Sequence, residues 1–179
     1  MTAEPVIAVF ERLQGEICWG FQYGTQLNLS VSFGPPQMRI REPFTVTSEL
    51  EVVQRIARKR NVTIKGAWWL WLQSSFWRIE LDGKVAASHA SSRKKRDDAF
   101  LALEGQRLTF PTINSQTGRT RLHFDLGGVL ECRRFSQQEE APLWTLYEPE
   151  GNVLSVFSDG TYAHHAGNLA TDKAIRKPL

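Results

Sequence analysis

Four histidines, two cysteines and a few serines are the residues of this chain most able to do chemistry. His123 and Asp125 stand two apart, so on a strand they share a face and an imidazole could be oriented by a carboxylate. A zinc site needs three or four such ligands with a second layer of partners to aim them, and no further ligand is spaced to join this pair. His164 and His165 are adjacent and point to opposite faces of a strand. The run Ser88-His89-Ala90-Ser91-Ser92 has the residue types of a nucleophile and its base but lacks the glycine-flanked elbow that exposes a nucleophilic serine. Cys18 and Cys132 lie far apart, in apolar surroundings and outside any C-x-x-C pair, so they read as reduced, buried thiols. Gly127-Gly128 is not part of a phosphate loop, and Glu139-Glu140 sits in a polar, solvated stretch. The reading is of no catalytic residue, no metal site and no cofactor.

The elements that would carry these residues are mostly strands. Ile17, Trp19, Phe21 and Tyr23 alternate with smaller or polar residues, as do Leu27, Leu29, Val31 and Phe33, and together they predict a hairpin. Gly34-Pro35-Pro36 should end it, because proline cannot donate to a central ladder. Residues 38–41 and 44–46 are shorter strand candidates. Residues 48–60 predict a helix, with Ser48 and Glu51 as a capping box. Residues 62–81 hold the most apolar stretch. Trp68, Trp69 and Trp71 make both faces apolar, which predicts a central strand covered on both sides. After the Asp82-Gly83 turn, a second helix is expected within 91–103, beginning only at Arg96 or Asp97 because four basic residues suit a helix start poorly. Gly105 is placed to end it. The last third reads as strands again: 108–110 ending at Pro111, 122–126, 129–132, and a hairpin of 144–147 with 153–157, followed by an Asp159-Gly160 turn.

The predicted class is therefore α+β, one domain over residues 1–166 dominated by antiparallel sheet with one or two short helices, and a polar tail at 167–179 that frays. The chain has 179 residues, 41% hydrophobic and 23% charged, which excludes a disordered, collagen-like or coiled-coil protein. No apolar run approaches the ~20 residues of a membrane-spanning helix. The N-terminal residues lack a basic stretch and a long apolar segment, so the expected location is the cytoplasm. Net charge is +3, from 22 basic and 19 acidic residues. The basic run Arg93-Lys94-Lys95-Arg96 has no aromatic residues interleaved with it, which argues against nucleic acid as a partner.

One pattern carries a resemblance. Gly66-Ala67-Trp68-Trp69-Leu70-Trp71-Leu72 followed by Phe76-Trp77-Arg78-Ile79 resembles the W-x-L-W-I … W-x-I core of a group of small bacterial proteins. Phe124-Asp125-Leu126-Gly127-Gly128-Val129-Leu130 resembles their F-D-L-G-G-x-L segment. Trp144-Thr145-Leu146-Tyr147 and Phe157-Ser158-Asp159-Gly160-Thr161-Tyr162 look like their closing hairpin. The similarity spans residues 66–162, and these proteins resemble the immunity proteins that accompany polymorphic or contact-dependent toxins. The resemblance implies a non-enzymatic cytoplasmic protein that binds and occludes a cognate toxin domain. The mostly acidic stretch 131–150 offers a complementary patch in a chain that is basic overall. The expected partner interface is Trp77, Glu131, Glu139, Glu140, Trp144, Glu148 and Glu150. The alternatives are a small-molecule or peptide-binding domain with a cavity between sheet and helix, or an enzyme of unrecognised type.

Overall fold

The computed structural model describes residues 4–24, 27–73, 75–135, 141–169 and 173–179. Among them are three helices, α1 (Glu4–Leu13), α2 (Glu51–Ala57) and α3 (Arg93–Leu103). The strands are β1 (Cys18–Tyr23), β2 (Leu29–Arg41), β3 (Asn61–Leu72), β4 (Ser75–Leu81), β5 (Lys84–Ser88), β6 (Leu108–Ile113), β7 (Thr120–Phe124), β8 (Gly128–Arg134), β9 (Pro142–Tyr147), β10 (Asn152–Phe157), β11 (Thr161–Ala166) and β12 (Lys177–Pro178). They form two antiparallel sheets, one in the order β1-β2-β3-β9-β10-β11-β12 and the other β5-β4-β8-β7-β6. The class is α+β dominated by antiparallel sheet.

The inner faces of the two sheets share one core. Val31, Phe33, Trp68, Leu70, Leu72, Trp144 and Leu146 come from the larger sheet, and Trp77, Ile79, Leu122, Leu130 and Cys132 from the smaller. Phe33 stacks on Phe124 across the gap, and the Trp144 indole N–H donates to Thr120 Oγ1 at 2.8 Å. Helix α1 lays Val6, Val9, Phe10 and Leu13 into this core, with Phe10 edge-on to Trp144. These positions follow the i, i+3, i+4, i+7 rule of an amphipathic helix. No element is predicted here from the sequence; the buried residues form a stripe at helical spacing and not a continuous run.

Several other expectations are corrected. β2 does not stop at Gly34-Pro35-Pro36; it continues to Arg41 through a bulge between Phe33 and Pro36. β1 pairs with β2 only as far as Phe33, so both prolines sit where that edge is already free and their missing N–H groups break no ladder bond. Pro111 likewise lies within β6, an edge strand paired on one side by β7. Residues 44–46 form no strand. Helix α2 is shorter than expected and has Leu50 at its N-cap; the Ser48 hydroxyl accepts from Leu50 N–H instead of capping the helix. Helix α3 starts at Arg93, not Arg96, because Ser92 supplies the cap by accepting from Lys95 N–H at 3.4 Å. Its basic first turn is solvated, with Arg93 and Lys94 paired to Asp97 and Asp98 one turn on. In the C-terminal stretch, Lys177 and Pro178 pair with β11, and Leu179 N–H donates to Gly160 O.

Candidate functional site

The most unusual feature is what happens where the neighbours of β2 and β3 run out. These two strands pair from Leu29↔Leu72 out to Arg41↔Asn61. β1 covers β2 only to Phe33, and β9 covers β3 only over Trp69–Leu72. Residues 36–41 and 61–66 therefore project as a two-stranded arm with neither edge paired among the described residues. Its tip carries α2 and is closed by Phe44 N–H donating to Ala57 O and by an Arg60–Glu42 ion pair at 2.8 Å.

Strand alternation gives the arm two unlike faces. Met38 stands opposite Ile64 and Ile40 opposite Val62. Their exposures are 69%, 64%, 52% and 53%, so four large apolar side chains form one open patch. This face continues the even-numbered positions of β3, which farther in are Trp68, Leu70 and Leu72 of the core. It is core-type surface with no second sheet over it among the described residues. At its root lies a groove of about 490 Å³ lined by Ile17, Trp19, Pro35, Pro36 and Ile64, with Glu16 and Arg107 at its rim. At the tip, Phe44, Leu50, Val52 and Ile56 are also exposed.

The opposite face carries Gln37, Arg39 and Arg41 against Lys65, Thr63 and Asn61. Along β3 it leads to Trp69 and Trp71, both half-buried. Their rings stack at 5.9 Å, and Tyr147 of β9 stacks on Trp69 at 4.8 Å. The Lys65 ammonium sits 2.9 Å from the Trp69 ring centroid. Burial, followed by the nearby charge of Arg39, lowers the Lys65 pKa to about 8. Residues 36–66 hold seven Lys or Arg and three Asp or Glu, a net +4. That leaves 15 basic against 16 acidic residues elsewhere, so the arm carries the whole positive excess of the chain.

The residues expected at an interface lie elsewhere, and most are inaccessible. Trp77 and Trp144 are each 1% exposed and belong to the core, Trp77 against Tyr23 and Phe100. Rings this deep cannot anchor a partner. Glu131 is buried on the outer face of the smaller sheet, where its Oε2 accepts from Arg78, Arg119 and Arg121 at 3.1, 2.8 and 3.1 Å. Glu80 shares two of these guanidinium groups, from Arg78 and Arg121. Burial pushes the Glu131 carboxyl up, but the hydrogen bond and charge of Arg119, with Arg78 and Arg121, outweigh it and hold the pKa below the usual value. Glu148 is also buried, between Arg12 at 3.0 Å and His164 Nε2 at 2.6 Å, and ties α1 to β11. Glu150 alone of the described candidates is open, paired with Arg12 at 2.7 Å. Glu139 and Glu140 fall outside the described residues.

His123 and Asp125 are not joined. His123 Nε2 meets Thr112 Oγ1 at 2.8 Å and its ring stacks on Phe110, while Asp125 accepts from Arg107 N–H. His165 bonds Ala166 O, and Ser91 accepts from Ser88 N–H rather than facing His89. Cys18 and Cys132 are unpaired and buried, and burial pushes each thiol up to about 12. Among the described residues no three His, Cys, Asp or Glu side chains come together in a metal-binding group. No family model, no curated protein and no solved structure matches the chain.

The arm escaped the sequence reading although its signal was present. Met38 and Ile40 alternate with Arg39 and Arg41, and Val62 and Ile64 with Thr63 and Lys65. Their pairing is hidden because Pro35-Pro36 predicts a strand end, whereas β2 runs through them to Arg41.

Proposed function

We propose that this chain is a non-enzymatic binding protein that engages a protein partner through the apolar face of the arm. The observation that carries the reading is the uncovered quartet Met38, Ile40, Val62 and Ile64, continuous with the groove at the arm root. Contiguous exposed apolar surface of this kind marks interaction sites, and a bare two-stranded hairpin is only marginally stable in water. A partner with an apolar cleft and an acidic rim fits the arm in shape and charge. Together with the W-x-L-W-L and F-D-L-G-G-x-L resemblance, this supports an immunity protein whose arm enters and occludes a cognate toxin domain in the bacterial cytoplasm.

The test is capture of the partner from the source cytoplasm at ~0.5 M salt, where exposed charges are screened, followed by sizing. One stoichiometric partner is expected, toxic when produced alone and harmless when co-produced. The double variant Met38→Asp/Ile64→Asp should lose it while keeping the wild-type circular dichroism and melting temperature. Undiminished capture by that variant would sink the arm reading, and a partner without toxicity would remove the immunity role.

A second reading has its own observation. A cleft of about 300 Å³ between α1 and β6, lined by Val6, Phe10, Phe110, Pro111 and Ile113, is at the small end of ligand pockets. Saturable thermal stabilisation by a small apolar ligand, lost in Ile113→Trp, would favour it.

A further inference from the structure

We infer that the opposite, basic face of the arm and the aromatic column at its root form a binding track for single-stranded nucleic acid. This inference stands apart from the protein-partner reading, since strand alternation puts the two surfaces on opposite sides of the same ribbon.

The track begins with Arg41 and Arg39 on β2 and Lys65 on β3, and runs into Trp69, Trp71 and Tyr147. From position 61 to position 71 of β3 it is about 33 Å long at ~3.3 Å per residue. That suits a site at the short end of the ~4–16 nucleotides that single-strand binders cover. The chemistry of the two halves is complementary to the two halves of a nucleotide. Arg41 donates to Ile56 O at 3.5 Å and lies over the Phe44 ring, and Lys65 lies over Trp69, but no carboxylate pairs with Arg39, Arg41 or Lys65 among the described residues, so the three cations have no counter-charge there. Burial and, after it, the charge of Arg39 weaken proton binding at Lys65, and a phosphate between the two cations would offset the second of these. The column then offers near-parallel rings, Trp71 at 12° and Tyr147 at 25° to Trp69. Trp71 is half-buried, and a base stacking on its ring would continue the column. Stacking of this kind tolerates any base, so the track reads strandedness and not sequence. A duplex keeps its bases paired inside and cannot use the column. The basic run at 93–96 lacked such rings nearby in sequence; the fold brings a different set of cations to them.

Three phosphate contacts give a slope of about −0.7 per contact for single strands, or roughly −2 in log affinity against log salt. A fourfold rise in salt should therefore weaken binding about 20-fold. The experiment is fluorescence anisotropy of the full chain with a labelled 12-nucleotide oligothymidylate, and with a duplex of the same length, at 50 and 200 mM salt. The expected result is saturable binding of the single strand, weaker binding of the duplex, and the 20-fold loss on adding salt. Arg39→Glu/Lys65→Glu should abolish binding, and Trp71→Ala should weaken it at least tenfold. The uncharged double variant Met38→Ser/Ile64→Thr, on the other face, should leave it unchanged, which separates this track from the protein-binding face. Absence of saturable binding at 50 mM salt would overturn the inference. So would equal affinity for duplex with no effect of Trp71→Ala, which would reduce the track to diffuse charge. So would competition by polyglutamate at equal charge concentration, which would make the ligand an acidic polypeptide.

Discussion

Replacing Glu131 by glutamine gives the sharpest test of how the smaller sheet is held. Three guanidinium groups converge on one oxygen of this carboxylate, whose side chain is 2% exposed. Glu131→Gln keeps the volume and removes the charge. Breaking a buried ion pair by deleting one partner costs about 3–5 kcal/mol when the other charge is left stranded. Here Arg78, Arg119 and Arg121 are 38%, 47% and 31% exposed, so water takes over part of the load, and Glu80 still holds two of them. The expected loss at pH 7 is therefore smaller, about 2 kcal/mol. For a chain of this size that lowers the melting temperature by about 4–8 °C. The pH dependence follows from the direction of the shift. The carboxyl titrates lower in the folded protein than in the unfolded chain, so its contribution is complete above the unfolded value of about 4.3 and is lost as pH falls through the folded value. Urea unfolding of wild type and Glu131→Gln should give a gap of about 2 kcal/mol at pH 7 that narrows below about pH 4. A gap under about 0.5 kcal/mol at pH 7 would show that the arginine fan is an ordinary solvated surface network. A gap unchanged in acid would show that the loss comes from packing and not from charge.

Three further outcomes are expected. Lys65 has a folded pKa of about 8, below its unfolded value of about 10.4, so the unfolded chain binds more protons between them and stability rises with pH across that window. Denaturant titrations from pH 7 to 10.5 should show this rise in wild type and its absence in Lys65→Met; parallel curves would refute it. In Gly66→Ala the new methyl would run into the backbone oxygen and nitrogen of Phe33 at the bulge, where no flexible atom can give way. It should cost more than about 1 kcal/mol in thermal unfolding, and a neutral result would mean that the arm root is not closely packed. Cys18 and Cys132, with thiols pushed up to about 12, should react with a chromogenic disulfide reagent at pH 8 only once urea unfolds the protein; a thiol titrated in the native state would contradict their burial.

The strands were legible because period-two alternation is a local signal. Leu29, Val31 and Phe33 announced their buried face, and Asp82-Gly83 its turn, from sequence alone, whereas the tryptophans of β3 predicted cover on both faces and the structure leaves Trp69 and Trp71 half-exposed. What was not legible depended on partners. Whether proline interrupts β2 turns on how far β1 reaches along it, and no local pattern records that. Trp77 and Trp144 read as possible anchors because type and spacing cannot tell a ring under a second sheet from a ring in water. Glu131 and Glu148 looked like surface acids for the same reason: the arginines that neutralise Glu131 come from three separate places in β4, β7 and the turn before it. The arm turns on the first of these, since its two runs become one surface only when β2 continues past its prolines.

The strand order also sets how the chain must fold. β3 is completed by β9, pairing Trp71 with Thr145, and β4 by β8, pairing Arg78 with Glu131. The ion pair from Arg12 to Glu148 spans 136 positions. Loop-closure entropy has to be met before such distant contacts give anything back, so folding belongs to the slow, millisecond-to-second regime of non-local sheets. During synthesis the inner face of β3, with Trp68, Leu70 and Leu72, waits with an open edge until the ribosome has released residues 142–147. A chain halted before that point exposes a long apolar edge strand, the form most prone to pair with another copy. The arm is the exception, because its two strands follow one another in the chain and zip without waiting for the C-terminal half.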